Sequence, residues 1–303
     1  MKILVAGGGG FIGKVVVGAL SKDHEVFVVE RSANPQNSKS IQLDLTQKKA
    51  LVTLFRELRP DIVINCAGII DPNGNVVLNR AFTMNILESL VASGHVPKRV
   101  IIMGSAAEYG EVKPDELPIS EDTPLRAKSG YGLSKIQETA AALEYGGRNN
   151  IPIVIARIFN PIGKGMRPKF ITSRVQQQLR EFNEGVREVI DAVYRLDALR
   201  DYVSVHDIAD AIKTLVEHNP KESVYNIGSG KATSNQEIVD LLIAYTPMVG
   251  KPEVRQTADT PEPLVAAQAD ISRMRREFGW RPRVSLEEAV KEVIDTGSNE
   301  QSN

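Results

Sequence analysis

Only one cysteine, Cys66, occurs in the 303 residues, so the chain can close no internal disulfide and can build no zinc site from several thiolates. That scarcity fits a reducing compartment, where such a residue ordinarily serves as a small buried apolar side chain. No stretch approaches the run of about 20 apolar residues that spans a bilayer. The first apolar run, KILVA, begins at residue 2 with no signal-peptide pattern ahead of it. A cytoplasmic location with no membrane partner is therefore expected. Charge of one sign is lacking too, since 37 Lys and Arg face 38 Asp and Glu, which gives no electrostatic reason to expect nucleic acid. The sequence carries neither an internal repeat nor a low-complexity linker, and its polar end SNEQSN reads as a frayed tail.

What is present is alternation. Short runs rich in β-branched residues, KILVA, EVFVV, IQLDL, DIVIN, RVIIM, PIVIAR and SVYNI, are separated by segments with apolar residues at helical spacing. Those segments are FIGKVVVGALS, KKALVTLFREL, residues 76–92 and YGLSKIQETAAALEY. The pattern predicts an α/β fold, a doubly wound parallel sheet of the Rossmann type with both faces covered. After about residue 165 the rhythm changes, with strand-like pieces in REVIDAV and RDYVSV. Capping boxes at Ser234/Glu237 and Ser285/Glu288 announce two late helices. HDIADAIKTLVEH and SVYNI still read as sheet-domain elements. The expected organisation is a dinucleotide-binding domain over 1–165 with a contribution from about 205–230. A smaller α/β substrate lobe, interleaved with it, takes 166–204 and 231–303.

The segment GGGGFIGK fits three phosphate-binding patterns at once: GxxGxxG through Gly7, Gly10 and Gly13, GxGxxG through Gly8, Gly10 and Gly13, and nearly GxxxxGK[ST]. The last needs a hydroxyl after its lysine to hold magnesium, and that position is Val15. A dinucleotide site needs a strand before the loop, a helix after it and an acidic residue about 20 positions on, and KILVA, FIGKVVVGALS and Glu30 supply all three. Glu30 favours NAD, because a carboxylate repels a 2′-phosphate; Arg31 beside it could bind one, so NADP stays open. Asp44 suits either an adenine contact or a cap on the next helix.

A second constellation is chemical. Tyr131 and Lys135 of YGLSK lie four apart and share a helix face. A phenol ionises near pH 10, so using one as an acid/base at neutral pH calls for a neighbouring cation. Lys135 is that cation. Ser105 in RVIIMGSAAEYG follows a strand's carboxyl end, the edge where open α/β sheets bind ligands, and its hydroxyl could hold a substrate oxygen while Tyr131 exchanges a proton.

With these motifs the chain resembles the extended short-chain dehydrogenase/reductases that act on nucleotide sugars, the NAD-dependent epimerase/dehydratase family. The likeness runs through GGGGFIG, INCAG, GSAAEYG, YGLSK, RIFNPIG, RDYVSVHDIADA, YNIGSG and FGWRP. It implies Ser105, Tyr131 and Lys135 as the catalytic set, with Lys135 also holding the nicotinamide ribose. For the cofactor it further implies Phe11 and Ile12 in the glycine loop, Leu45 beside Asp44, Cys66, Ala67 and Gly68, and Phe159. Asn160 and Arg200 are implied at the substrate diphosphate, a guanidinium being suited to bidentate phosphate binding; a salt bridge of Arg200 with Asp201 is the competing reading. A homodimer through the helices at 76–92 and 131–145 is implied as well. Asn85 reads as structural, and His206 and Asp207 as a helix entry.

Two departures narrow the reaction. Family members that eliminate water carry an acid directly after the serine or threonine, where this chain has Ala106 and Ala107, and Glu108 follows one residue too late. Near VRQTADTPEP the nucleotide-binding arginine and acid fall at altered spacing, at Arg255 and Asp259. The combination GSAAEYG, RDYVSVHD and YNIGSGKATS is most similar to the GDP-4-keto-6-deoxymannose reductases. Hydride delivery to C4 of a nucleotide-linked keto sugar is thus the leading expectation. A 4-epimerase with tightly bound NAD is the alternative, and a dinucleotide sensor without turnover a third.

Overall fold

The computed structural model describes residues 1–32, 39–70, 76–166, 170–192, 195–256 and 266–295. In chain order the first half contains β1 (Lys2–Ala6), α1 (Phe11–Leu20), β2 (Glu25–Glu30), β3 (Ser40–Gln42), α2 (Lys48–Leu58), β4 (Ile62–Asn65), α3 (Val76–Ser93), β5 (Arg99–Ser105), α4 (Gly130–Asn149) and β6 (Ile153–Ile158). There follow β7 (Asn160–Ile162), α5 (Ile171–Asn183), β8 (Val189–Ala192), β9 (Leu199–Arg200), β10 (Tyr202–Ser204), α6 (Val205–Glu217), β11 (Val224–Ile227), β12 (Thr233–Ser234), α7 (Asn235–Tyr245), β13 (Glu253–Gln256), α8 (Ser272–Phe278) and α9 (Leu286–Asp295).

A seven-stranded parallel sheet in the order β11-β6-β5-β4-β1-β2-β3 forms the centre. Its inner strands are mostly apolar because both faces are buried, β4 and β6 at every position, whereas the edge strand β3 has no buried residue. Successive side chains of β1 point to opposite faces. Ile3 and Val5 join α1 and α6 through Val16, Leu20, Ile208 and Leu215, whereas Leu4 and Ala6 join α2, α3 and α4 through Phe55, Leu87 and Ala142. The strand order reverses between β1 and β4, each of which pairs with the other and then leads outward. The crevice beyond their carboxyl ends is where such sheets bind ligands.

The smaller lobe has its own core, in which Val175 and Leu179 of α5, Ile238 and Leu242 of α7, and Val290 of α9 pack on Ile190 of β8. β13 pairs with β8 in parallel. Met274 of α8 and Trp280 lie in the sheet domain's cluster instead, so within 231–303 this segment packs with the larger body. Of the two late capping boxes, Ser285 and Glu288 exchange both bonds, and Ser234 accepts the Glu237 N–H. IQLDL is strand only to Gln42; Asp44 then turns the chain by accepting the N–H and O–H of Thr46. Among the described residues no helix is long and apolar enough to cross a membrane, and the SNEQSN tail lies outside them.

Candidate active site

The glycine loop leaves β1 at Gly7, whose φ is +74°, and a Cβ there would meet the backbone nitrogen of Ala67 at 2.6 Å. The loops after β1 and β4 therefore touch, and no other residue fits between them. A Cβ on Gly13 would come within 2.2 Å of the Gly7 carbonyl oxygen, so α1 enters against the turn with no space for a side chain. A Cβ on Gly9 would lie 2.3 Å from Oε2 of Glu30; this carboxylate stands over the loop at the end of β2 and accepts the Ser40 hydroxyl at 2.5 Å. No side chain caps α1 and no acid lies in its first turn, which leaves the positive end of the helix open to a pyrophosphate. A closely approached glycine cradle, an open helix start and a carboxylate at the end of β2 fit a dinucleotide. Phe11 and Ile12 are half-buried in the first turn of α1, and Arg31 is exposed beyond Glu30. Hydrogen bonds from Thr46 hold the Asp44 carboxyl below its ordinary range, and Leu45 is buried, its carbonyl accepting the Asn85 side chain at 2.8 Å.

Beyond the loop opens a cavity of about 440 Å³. Ile12, Cys66, Ala67 and Gly68 form one side, Ser105, Tyr131 and Lys135 another, and Phe159, Asn160 and Arg200 close it. The glycine loop, Glu30, Arg31, Asp44 and Leu45 lie outside that lining, around the same sheet edge. Burial pushes the Cys66 thiol up to about 12, which disfavours the reactive thiolate form. Ser105 ends β5; its Oγ accepts the Ala107 N–H at 3.2 Å, which leaves the hydroxyl proton for a ligand. Tyr131 stands in the first turn of α4, where Ser129 caps the helix by accepting the Gly132 N–H. Lys135 follows one turn later, with Nζ donating to the Met103 carbonyl at 2.6 Å and to Glu138 at 2.5 Å. Burial works against its ammonium, but the attraction of Glu138 and Tyr131 outweighs that and raises the Lys135 pKa above the usual lysine value.

Arg200 reaches the cavity from β9. Its neighbour Asp201 is fully buried and turns its carboxylate inward, accepting the N–H and Oγ of Ser229 and the N–H groups of Gly230 and Ala269 at 2.6–2.9 Å. Asp201 is thus a clasp for the loop after β11, not the rim partner weighed for Arg200. Arg255 lies elsewhere: it is exposed on β13, grips Glu253 at 2.8 and 2.9 Å and does not line the cavity, and Asp259 lies outside the described residues. His206 pairs with Glu292 at 3.2 Å, and Asp207 accepts the backbone N–H groups of Arg283 and Val284.

The model of the NAD dependent epimerase/dehydratase family matches residues 3–228. The chain belongs to that family. A curated relative, the GDP-6-deoxy-D-mannose reductase of Pseudomonas aeruginosa, is 25% identical and the match covers 97% of this chain and 96% of that one. The solved structure of RMD from Pseudomonas aeruginosa complexed with NADPH superposes with a TM-score of 0.85 at 25% identity, over 97% of this chain and 98% of that chain. The Thermus thermophilus UDP-glucose 4-epimerase complex with NAD gives 0.83 at 26% identity, over 99% and 100%. This family member is accordingly an enzyme of the extended short-chain dehydrogenase/reductase kind, within a group of NAD(P)-dependent nucleotide-sugar reductases and epimerases.

Behind the cavity this epimerase/dehydratase family member carries a polar network that sequence reasoning missed. Ser105 starts a single 3₁₀ turn, Ala106–Glu108, which swings Glu108 into the interior. The Glu108 carboxylate accepts the Ser105 N–H at 2.9 Å and Arg157 Nε at 3.1 Å. Arg157 also donates to the Tyr109 hydroxyl at 3.1 Å, and that hydroxyl donates to Asn226 at 2.6 Å. Burial raises the Glu108 pKa against the pull of Arg157 and pushes Tyr109 up to about 12. The available signal was Arg157 itself, a charge inside the apolar strand β6, which demands a buried partner.

Proposed function

We propose that the enzyme reduces the 4-keto group of a nucleotide-linked 6-deoxy sugar with NADH or NADPH. The observation that carries this reading is the composition of the cavity wall. Ser105, Tyr131 and Lys135 stand together, and no Asp or Glu is among the described residues lining the cavity. Eliminating water from a sugar requires an acid at the leaving hydroxyl. Glu108, the nearest carboxylate in sequence, is engaged by Arg157 and Ser105 at 0% exposure. The set suits carbonyl chemistry and not dehydration. The similarity to a GDP-6-deoxy-D-mannose reductase supports the same reading.

The bound nicotinamide cofactor supplies a hydride. The chain's residues do the rest. The Ser105 hydroxyl donates to the substrate O4 and polarises the C4 carbonyl, and Tyr131 Oη gives its proton to O4 as the alcohol forms. Lys135 keeps a positive charge beside Tyr131 and favours departure of that proton. Asn160 and Arg200 bind the diphosphate, the guanidinium in a bidentate manner. Glu30 accepts from the adenosine ribose hydroxyls, with Arg31 next to it to meet a 2′-phosphate.

The competing 4-epimerase reading draws on the likeness to an epimerase complex with NAD. An epimerase uses the same residues to remove and return one hydride and so keeps its NAD. Absorbance of the purified protein, and of the supernatant after denaturation, separates the two. A reductase is expected to release little nucleotide and to exchange freely with added NADPH; one NAD retained per chain would favour the epimerase.

We further propose a cytoplasmic homodimer formed through α3 and α4. Leu78, Phe82 and Met84 of α3 are only half-buried, and Val77, Val91 and Leu133 are exposed across the two helices. Four such helices from two chains would cover that surface. Light scattering should give twice the chain mass, and a monomer mass at micromolar concentration would remove the dimer.

A further inference from the structure

The Lys135 ammonium has three N–H donors, and the protein itself takes two of them, on the Met103 carbonyl and on Glu138 Oε2. Glu138 lies at i+3 on α4 and is 1% exposed. Its other oxygen, Oε1, accepts the Thr83 hydroxyl at 2.6 Å. Thr83 in turn accepts Asn65 Nδ2 at 2.8 Å, and Asn65 Oδ1 accepts the Ala67 N–H at 3.0 Å. A buried chain therefore runs from the lysine through α4, α3 and the end of β4 to the backbone of the cavity wall. A parallel tie reinforces it, because Asn79 of α3 bonds both backbone groups of Ile69 and the Ser134 hydroxyl.

A buried carboxylate is costly unless paired and hydrogen-bonded, and here both of its oxygens have partners. We propose that Glu138 is a positioning residue: anchored by Thr83 and Asn65, it fixes the Lys135 ammonium in register with the Ala67 wall and keeps its third N–H for the cavity beside Tyr131. The proposal rests on the reading of Lys135 as the group that holds the nicotinamide ribose and assists Tyr131. It has two parts, orientation and charge. Lys135 is buried among Met103 of β5, Tyr131 and Glu138 of α4, and Glu108 of the 3₁₀ turn. Glu108 is committed to Arg157 and Ser105, α3 contributes only neutral Thr83 and Asn79, and the Cys66 thiol, at about 12, does not titrate in the working range. Glu138 is thus the carboxylate in direct contact with the ammonium. Without its charge, burial takes over and Lys135 loses its proton at lower pH.

The test measures binding of NADPH and of NADH by calorimetry from pH 7 to pH 10 for the full chain, Glu138→Gln, Glu138→Asp and Thr83→Val. Wild-type affinity should persist into the alkaline range. Glu138→Gln should bind within a few-fold of wild type at pH 7 and then lose affinity at a pH lower by about one to three units. Glu138→Asp should restore most of the wild-type profile, and Thr83→Val, which keeps the charge and removes its anchor, should shift it less but in the same direction. A purely structural glutamate would lower thermal stability and leave the profile's midpoint in place. Coincident profiles for wild type and Glu138→Gln would overturn the proposal, as would an unshifted Thr83→Val if Glu138→Gln does not fold. Failure of the wild-type protein to bind either nucleotide would instead overturn the cofactor reading, and this proposal with it.

Discussion

Tyr131→Phe should lower kcat by about 10²- to 10⁴-fold, the usual worth of a positioned proton donor, while the affinity for NADPH stays within a few-fold of wild type. The substitution removes only the hydroxyl. The side chain is half-buried in the first turn of α4, and the ring that remains packs as before. Lys135 keeps its bonds to Met103 and Glu138, so the ribose contact implied for it survives. In the proposed reduction, what disappears is the proton for O4 as C4 accepts hydride, and no Asp or Glu among the described lining residues can replace it. Steady-state oxidation of NADPH, paired with calorimetric binding, separates the two effects. Unchanged turnover would remove Tyr131 from the mechanism, and lost nucleotide binding would mean that the hydroxyl serves the cofactor and not the reaction.

Glu108→Ala should destabilise the fold by about 3–5 kcal/mol, the range for removing one partner of a buried ion pair. Arg157 is 4% exposed and Glu108 is 0% exposed. Truncation leaves the guanidinium inside with its Nε unpartnered, and it also takes the acceptor from the Ser105 N–H. Part of the charge would still be met by the Tyr109 hydroxyl and by the Glu121 carbonyl, which Arg157 Nη1 reaches at 3.1 and 3.3 Å. Glu108→Gln keeps an oxygen for Ser105 and should lose less. The double variant Glu108→Leu/Arg157→Met, which removes both charges and keeps apolar volume, should recover much of the loss. Urea denaturation reads each directly. A loss below about 1 kcal/mol for Glu108→Ala would place the pair in the range of an exposed salt bridge and contradict its burial.

The contrast between Glu108 and Tyr131 marks what the sequence makes legible. The sheet could be read because its central strands, β4, β5 and β6 above all, are mostly apolar runs buried on both faces, and a pattern of that kind survives in one dimension. The glycine loop could be read because its spacing states a backbone need: Gly7 at φ +74° and Gly13 against the Gly7 carbonyl allow no side chain. Ser105, Tyr131 and Lys135 could be read because the end of β5 and the start of α4 are local features. Glu108 could not. One 3₁₀ turn has no periodicity, and its partner Arg157 lies 49 positions away.

Glu138 is a similar case, since its i+3 spacing from Lys135 is visible but its burial depends on α3 packing against α4. Adjacency alone suggests Asp201 as a companion for Arg200, yet its carboxylate, at the break between β9 and β10, closes on Ser229, Gly230 and Ala269. Motif likeness implies Arg255 at the nucleotide; the structure holds it on Glu253, two positions back on β13, a strand whose partner β8 lies more than 60 residues away. Long-range pairings of that kind leave no mark in a local window.

In the proposed reaction a hydride reaches C4 of a nucleotide-linked keto sugar and a proton from Tyr131 reaches O4. The decisive measurement incubates the protein with GDP-4-keto-6-deoxymannose and NADPH carrying deuterium at both C4 positions of the nicotinamide, and reads the sugar by mass spectrometry and proton NMR. One deuterium at C4 of the product is expected for each NADPH oxidised, with Tyr131→Phe forming the same product about 10²- to 10⁴-fold more slowly. No oxidation of the cofactor, or oxidation that leaves no deuterium at C4, would contradict it.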